Sequence, residues 1–382
     1  MRAPGYIKEH RRSRRSSQQG QIVLVTVLLL GLVITISLFS IIRPNRVNLE
    51  NVAQTERALA QAKEALIAYA AGRLSNRPGE LPCPDRTNNG QATPPNCNTL
   101  TTQIGRLPWF TLGIPDLRDG SGERLWYAVS NNFKNATAVT PLNSNTPGQL
   151  AVNGIAPANN VIAIVFAPGS VVAGQSRAAA NLNDVAHYLE GENANGDTTF
   201  TTATPNGTFN DRLLAITPAL FFPAVEMSVA RRLRQRLNTY YGATRWFPPA
   251  NAYGVSCVPA NQGWIPQAPA TCGVAATPVV EVEPPLSDLT MNQWFQTLFY
   301  AVAPACRYPA INCSGAGGFL TVNGVGGVRA LIITPGIPFA GQARPCASSA
   351  DCLEPPNTTS FPAFTHTTGS PATNDRVIIV SP

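Results

Sequence analysis

The chain has 382 residues and a formal net charge of +7, from 28 lysines and arginines against 21 acidic residues. Six basic residues and one acid fall within residues 1–20, so this leader carries +5 and the remaining chain only +2. A remainder so close to neutral offers no basic surface to a polyanion, and nucleic acid is excluded as an expected partner.

The first predicted element is a transmembrane helix over residues 21–42. The segment from Gln21 to Ile42 contains 22 residues without a charged side chain. A helix of that length spans about 33 Å, enough to cross the core of a bilayer. The basic leader predicts a cytoplasmic N-terminus, which places the bulk of the chain across the membrane. A cleaved secretory signal fits less well, because its apolar core has only about 7–15 residues.

An amphipathic helix is predicted to follow over residues 43–78. Apolar residues such as Leu59 and Leu66 recur at intervals of three, four and seven, and most charged residues lie off this stripe. Gly72 is the first residue expected to end the helix. We expect the apolar stripe to pack on a globular domain.

The order of these segments resembles the type IV pilin and type II secretion pseudopilin superfamily. The resemblance rests on a basic leader that ends in Gly20, an apolar helix directly after it and the amphipathic extension. It implies that a peptidase cuts after Gly20 and that Gln21 becomes the methylated N-terminus. The family usually has a hydrophobic first residue and a glutamate at the fifth mature position, whereas this chain has Gln21 and Val25. The chain therefore resembles an atypical minor member of the superfamily.

An internal repeat occupies the chain beyond residue 78. Its matched blocks keep one order and a nearly constant offset: LWYAVS and LFYAVA (125–130 and 298–303), VIAIVFAPGSVVAGQSR and VRALIITPGIPFAGQAR (161–177 and 328–344), and NDRLLAITP and NDRVIIVSP (210–218 and 374–382). Several blocks are apolar runs suited to buried strands. The predicted fold class is α+β, with a long transmembrane-plus-amphipathic helix and two tandem pilin-like modules, 79–223 and 224–382.

All eight cysteines lie beyond the predicted anchor, which indicates an oxidising compartment. They form neighbours in sequence, and the simplest pairing is Cys83–Cys97, Cys257–Cys272, Cys306–Cys313 and Cys346–Cys352. A zinc site would need closely spaced cysteines with histidine partners. The chain has no CxxC motif and only three histidines, so disulfides are favoured over a metal.

No set of residues predicts catalysis, and the chain is not expected to be an enzyme. His187 has acidic neighbours in sequence, but no nucleophile elbow, HExxH motif or phosphate-binding loop accompanies it. No cofactor is expected apart from a weaker calcium hypothesis. An acidic loop supplies alternating oxygen ligands of the kind that calcium prefers, namely Glu192, Asn193, Asn195 and Asp197. Runs of Asn, Asp and Gly are also typical of ordinary turns.

Two surface hypotheses remain open at the level of sequence. Trp109, Phe110, Trp126 and Tyr127 are expected to form a module core, with an exposed adhesive patch as the alternative. The four arginines of the predicted helix 224–242 are expected to form a solvated face, with a site for a partner or a lipid surface as the alternative.

The resemblance implies a function for the whole chain. It would be a minor pilin or pseudopilin of the bacterial inner membrane, with its bulk in the periplasm, that primes, caps or decorates a filament. Expected partners are the lipid bilayer, through residues 21–42, other pilin-like subunits and the assembly machinery. The alternative is a single-pass periplasmic binding protein of the cell envelope unrelated to filaments.

Overall fold

The computed structural model describes most of the chain. The described residues are 16–73, 77–97, 104–135, 140–254, 258–265, 292–308, 313, 317–359, 361–366 and 373–381. Within the first helix, side chains are described at 24–33 and from 48 onward. The chain forms two compact units, Met1–Gln54 and Thr55–Pro382.

The first helix, α1, runs from Ser16 to Gly72 without interruption. Its alanine-rich last turns favour helix, and the glycine at its end has the lowest helix propensity after proline. Between Thr55 and Gly72, one stripe of side chains is buried in the core: Ala58, Leu59, Ala62, Leu66, Ile67 and Ala70. Among the described residues, we find no helix with the length and apolarity needed to cross a membrane.

Among the described residues, the first copy of the repeat contains seven strands. They are β1 (Ile104–Arg106), β2 (Trp126–Val129), β3 (Leu150–Gly154), β4 (Ala158–Val161), β5 (Ala163–Ala167), β6 (Thr199–Thr202) and β7 (Arg212–Ile216). An antiparallel sheet has the order β1-β2-β5-β7, and a smaller sheet has the order β4-β3-β6, in which β3 and β6 are parallel.

The second copy begins with helix α2, Pro218–Thr244, six residues earlier than the helix predicted from the sequence. Its other elements are β8 (Ala250–Asn251), β9 (Pro259–Ala260), β10 (Gln262–Trp264), β11 (Phe299–Val302), β12 (Leu320–Val322), β13 (Val325–Val328), β14 (Ala330–Thr334), α3 (Ser349–Cys352), β15 (Ala363–Phe364) and β16 (Arg376–Ser381). The main sheet has the order β16-β14-β11-β10-β8-β9, and the smaller one β13-β12-β15. Both copies therefore build a four-stranded antiparallel arrangement and a three-stranded sheet, and the main sheet of the second copy adds β8 and β9.

Short 3-10 helices connect these strands. They are Ala179–Asn181, Val185–His187, Gly191–Ala194, Trp294–Gln296 and Pro304–Cys306.

The central strands of the main sheets, β2, β5, β11 and β14, are buried along their whole length, which explains their continuous apolar runs. Successive residues of a strand point to opposite faces. In β2, Tyr127 and Val129 join the core that contains both long helices. Trp126 and Ala128 join a second core, shared with residues of the small sheet such as Phe200.

The two copies share the larger core. Phe221 and Phe222, in the first turn of α2, lie 5.6 and 5.9 Å from the ring of Phe133 in the first copy. The side chain of Asn292 accepts the N–H of Leu142, and its backbone carbonyl accepts the amide of Asn143. Residues 55–382 consequently form one compact unit that contains both copies.

The structure is a mixed α+β protein with disulfide bonds, as the sequence predicts. Cys83–Cys97, Cys306–Cys313 and Cys346–Cys352 are bonded. The predicted pair Cys257–Cys272 lies outside the described residues.

Candidate functional site

The described part of the N-terminal unit presents an apolar helical surface. Between residues 24 and 33, eight large apolar side chains are each more than half exposed: Leu24, Val25, Val27, Leu28, Leu29, Leu30, Leu32 and Val33. Ten helical residues make nearly three turns, so these side chains point in every direction around the axis. A helix that is apolar all round requires a partner other than water.

The predicted processing residues lie at the start of the same helix. Gly20 and Gln21 are helical, and the side chain of Gln21 lies outside the described set. Val25, at the position where the resembling family has glutamate, is 53% exposed. No charged group interrupts residues 24–33.

A buried polar cluster organises the end of the first copy. One Glu190 oxygen accepts the amide of Gln175 at 2.6 Å, and the other accepts the N–H groups of Asn210 and Asp211. An Asp211 oxygen in turn accepts the N–H of Glu190 and the amide of Asn193. The cluster ties the loop that follows β5 to the start of β7.

The second copy repeats this cluster at matched positions. Glu354 accepts the amide of Gln342 at 2.8 Å and the N–H of Asn374. Asp375 accepts the N–H of Glu354 and the amide of Asn357. A cluster that occurs in both copies serves the shared fold, so we assign it a structural role.

Both aspartates of these clusters have pKa values well above the ordinary range of a carboxyl group. Burial, and after it the neighbouring Glu190 carboxylate, raises the pKa of Asp211 to about 8. Burial is also the main cause that raises the pKa of Asp375 to about 7, and Glu354 adds to it. Glu226 of α2, which is buried against the backbone N–H of Gly336, has a pKa raised by burial to about 7.

The predicted calcium ligands are divided between the core and the surface. Asn193 is buried, and its side chain bonds the backbone of Thr201 as well as Asp211. The side-chain amide of Asn195 donates to the carboxylates of Glu192 and Asp197, at 2.9 and 3.0 Å, so these side chains bond one another within the turn. Among the described residues, no three histidine, cysteine or acidic side chains form a group suited to a metal ion.

His187 forms contacts typical of a surface loop. Its Nδ1 accepts the N–H of Ser176, and its Nε2 lies 3.8 Å from the carboxylate of Asp184. Among the described interactions, no serine hydroxyl or cysteine thiol bonds the His187 ring.

The aromatic segment is divided between core and surface. Trp126 and Tyr127 are buried, as expected. Phe110 is 61% exposed and Trp109 half-buried, so the expectation that all four form the core is wrong for these two. They belong to an irregular turn, in which the N–H groups of Phe110 and Thr111 bond the carbonyl of Gly90, and no strand alternation directs their side chains inward.

The arginines of α2 also differ in exposure. Arg231 and Arg234 are exposed, whereas Arg232 and Arg236 are half-buried.

The carboxylate clusters have a signal in the sequence, although it does not predict a contact. The tripeptide NDR occurs in both copies, and so does a glutamate three residues before an asparagine. These recurrences indicate a repeat and not the hydrogen bonds between its members.

Comparison of the chain with family models, curated proteins and solved structures returns no match.

Proposed function

We propose that this protein is a membrane-anchored, pilin-like minor subunit that primes, caps or decorates a type IV pilus or type II secretion filament. The observation that carries the proposal is the exposed apolar surface of residues 24–33 in helix α1. The last turns of the same helix are buried in the core of residues 55–382, which we call the head. Such a helix serves both as an anchor and as a packing element.

The hydrophobic effect gives this surface its function. Complete burial of one Leu or Val side chain contributes about 1.5–3 kcal/mol. Eight such side chains, each more than half exposed, would together gain on the order of 10 kcal/mol by transfer to lipid or to a bundle of similar helices. The gain is similar in the two environments, so a subunit can pass from the bilayer into a filament.

The rest of the chain supports a terminal position. A head of more than 300 residues is bulky for a subunit surrounded on all sides. Val25 also lacks the carboxylate that the resembling family places there. In this mechanism the N-terminus is cytoplasmic, residues 21–42 lie in the inner membrane, the head is periplasmic and no chemical reaction is catalysed.

Mass spectrometry of the mature N-terminus tests the proposal. We expect the purified protein to lack residues 1–20 and to begin at a methylated Gln21. Gly20→Val should leave the leader in place. Gly31→Ala is the matched control, because Gly31 lies in the same helix with no atom within 4 Å of an added Cβ, and it should be processed normally.

An intact Met1 on the membrane-bound protein would contradict the filament function. It would favour the single-pass envelope binding protein instead.

A further inference from the structure

The first copy contains a cavity of about 170 Å³ between β1, β2 and the loops beside them. Its lining includes Asp85, Arg86, Arg106, Trp126 and Asn195. Arg106 is held in place by its backbone, which exchanges two hydrogen bonds of 2.9 Å with Asp85. The neighbouring Gly105 permits this approach, because a Cβ there would lie 2.9 Å from the carbonyl oxygen of Asp85.

Arg106 is a buried cation in this wall. The residue is 3% exposed, and its guanidinium carbon lies over two aromatic rings, 4.5 Å from the centroid of Trp126 and 4.0 Å from that of Tyr188. Its N–H groups donate to the carbonyls of Leu182 and Arg124. Among the described residues, no carboxylate forms an ion pair with it.

A buried charge without a counter-ion is unfavourable, and cation–π contacts offset only part of that cost. Burial accordingly lowers the pKa of Arg106, although the neighbouring Tyr188 and Glu123 act in the opposite direction. The buried indole N–H of the neighbouring Trp126 has no hydrogen-bond partner among the described residues.

The acidic residues near the cavity do not replace a counter-ion. The two carboxylate oxygens of Asp85 accept the N–H groups of Thr87 and Gly90, at 2.8 and 2.6 Å. Glu192 and Asp197 are exposed and bond the Asn195 amide at the rim. Arg86 lies on the same wall.

The second copy shows that the fold does not need these groups. The strand registers place Trp264 where the first copy has Arg106, and Phe299 where it has Trp126. The indole N–H of Trp264 donates to the carbonyl of Cys346 at 3.0 Å, so that wall is neutral and satisfied. The cation and the free indole donor are thus specific to the first copy.

We propose that the cavity beside Arg106 binds a small ligand through an oxyanion group, a carboxylate or a phosphate. The guanidinium supplies the positive charge and charge-assisted hydrogen bonds to this group. This site does not depend on how the N-terminus is processed.

Titration of the full chain in detergent micelles tests the site. The probes are glucuronate for a carboxylate, inorganic phosphate for a phosphate, and glucose as the uncharged control. The chain has five tryptophans, and the indole N–H resonance absent from Trp126→Phe identifies Trp126. We expect this resonance to shift saturably with one of the anions, with a dissociation constant of about 1 mM or tighter, and not with glucose.

Variants assign the contact by calorimetry. Arg106→Gln should weaken binding at least about tenfold, the effect of losing one charged contact. Trp126→Phe should fold, because Phe299 occupies the matched position, and should bind several-fold more weakly. Trp264→Phe is the matched control and should bind as the wild type does. No saturable response to either anion, or wild-type affinity in Arg106→Gln, would overturn the proposal.

Discussion

Asp211 and Asp375 each lie beside a glutamate in a buried cluster, and this makes their ionisation costly. Their pKa values of about 8 and about 7 compare with about 3.9 in an unfolded chain. The folded state therefore holds more protons than the unfolded state between pH 4 and 8. Stability from these groups is complete at the acidic end of that window and is lost as the pH rises.

We predict that the protein melts at a lower temperature at pH 8 than at pH 5. Asp211→Asn keeps an oxygen for the N–H of Glu190 and places a neutral amide where the protonated carboxyl lies, so it should stabilise the fold at pH 8 by about 1–3 kcal/mol. The difference should shrink as the pH falls, and at pH 4 the variant and wild type should be nearly equal. Thermal melting monitored by circular dichroism across this range measures the difference.

Asp184→Asn is the control, because Asp184 is largely exposed and its replacement should leave the slope of stability with pH unchanged. Asp375→Asn should act in the same direction as Asp211→Asn. Glu226 would retain a slope of the same sign in either variant. Equal pH dependence in Asp211→Asn and wild type would contradict this assignment.

Residue patterns alone could not reveal these clusters. Asn193 lies in a loop rich in acidic and amide side chains, which favours a calcium hypothesis. Its structural partner, Asp211, is 18 residues away and becomes adjacent only when β6 and β7 take their places in different sheets. Buried polar contacts of this kind depend on tertiary geometry, whereas periodicity reports only which face of an element is buried.

At the scale of elements, the buried strands were predictable and the small sheets were not. The apolar runs at 161–167 and 328–334 contain β5 and β14, which are buried along their whole length. By contrast, β4 and β13 are mostly exposed and contain Asn or Gly, so neither run length nor alternation marks them as strands. They form because each pairs with a neighbour that packs on a main sheet.

The apolar stripe at the end of α1 supports a prediction about packing. Leu66 is fully buried in the core shared by both copies. Leu66→Ala should lower the free energy of unfolding by about 2–5 kcal/mol, through lost burial and a cavity. Leu49→Ala removes the same atoms from a side chain that is 69% exposed, and its effect should be within about 0.5 kcal/mol. Urea unfolding of the full chain in detergent, followed by tryptophan fluorescence, compares the two. Similar losses would contradict the packing of this stripe.

At the scale of the whole molecule, the two copies share the larger hydrophobic core instead of each having a large core of its own. The sequence repeat indicates modules 79–223 and 224–382, but it contains no information on how their surfaces meet. In the structure α2 begins the second copy, and its buried residues lie in the same cluster as Leu66 of α1 and Tyr127 of the first sheet. The hydroxyl of Ser228 on α2 also donates to the carbonyl of Ala71 at 2.7 Å. Such contacts couple the copies energetically, since removing either would expose the apolar face of the other.

This shared core predicts that residues 55–382 unfold in a single cooperative transition. Asn292 is fully buried and accepts the N–H of Leu142 from the first copy. Asn292→Ala leaves that N–H without this partner, which should cost about 1–3 kcal/mol and lower the midpoint of the whole transition. Exposed Asn238 on α2 provides the control, and Asn238→Ala should leave the midpoint unchanged. Calorimetry of the full chain in detergent distinguishes the cases. Two separable transitions, with only one of them shifted by Asn292→Ala, would mean that the copies fold independently despite the common core.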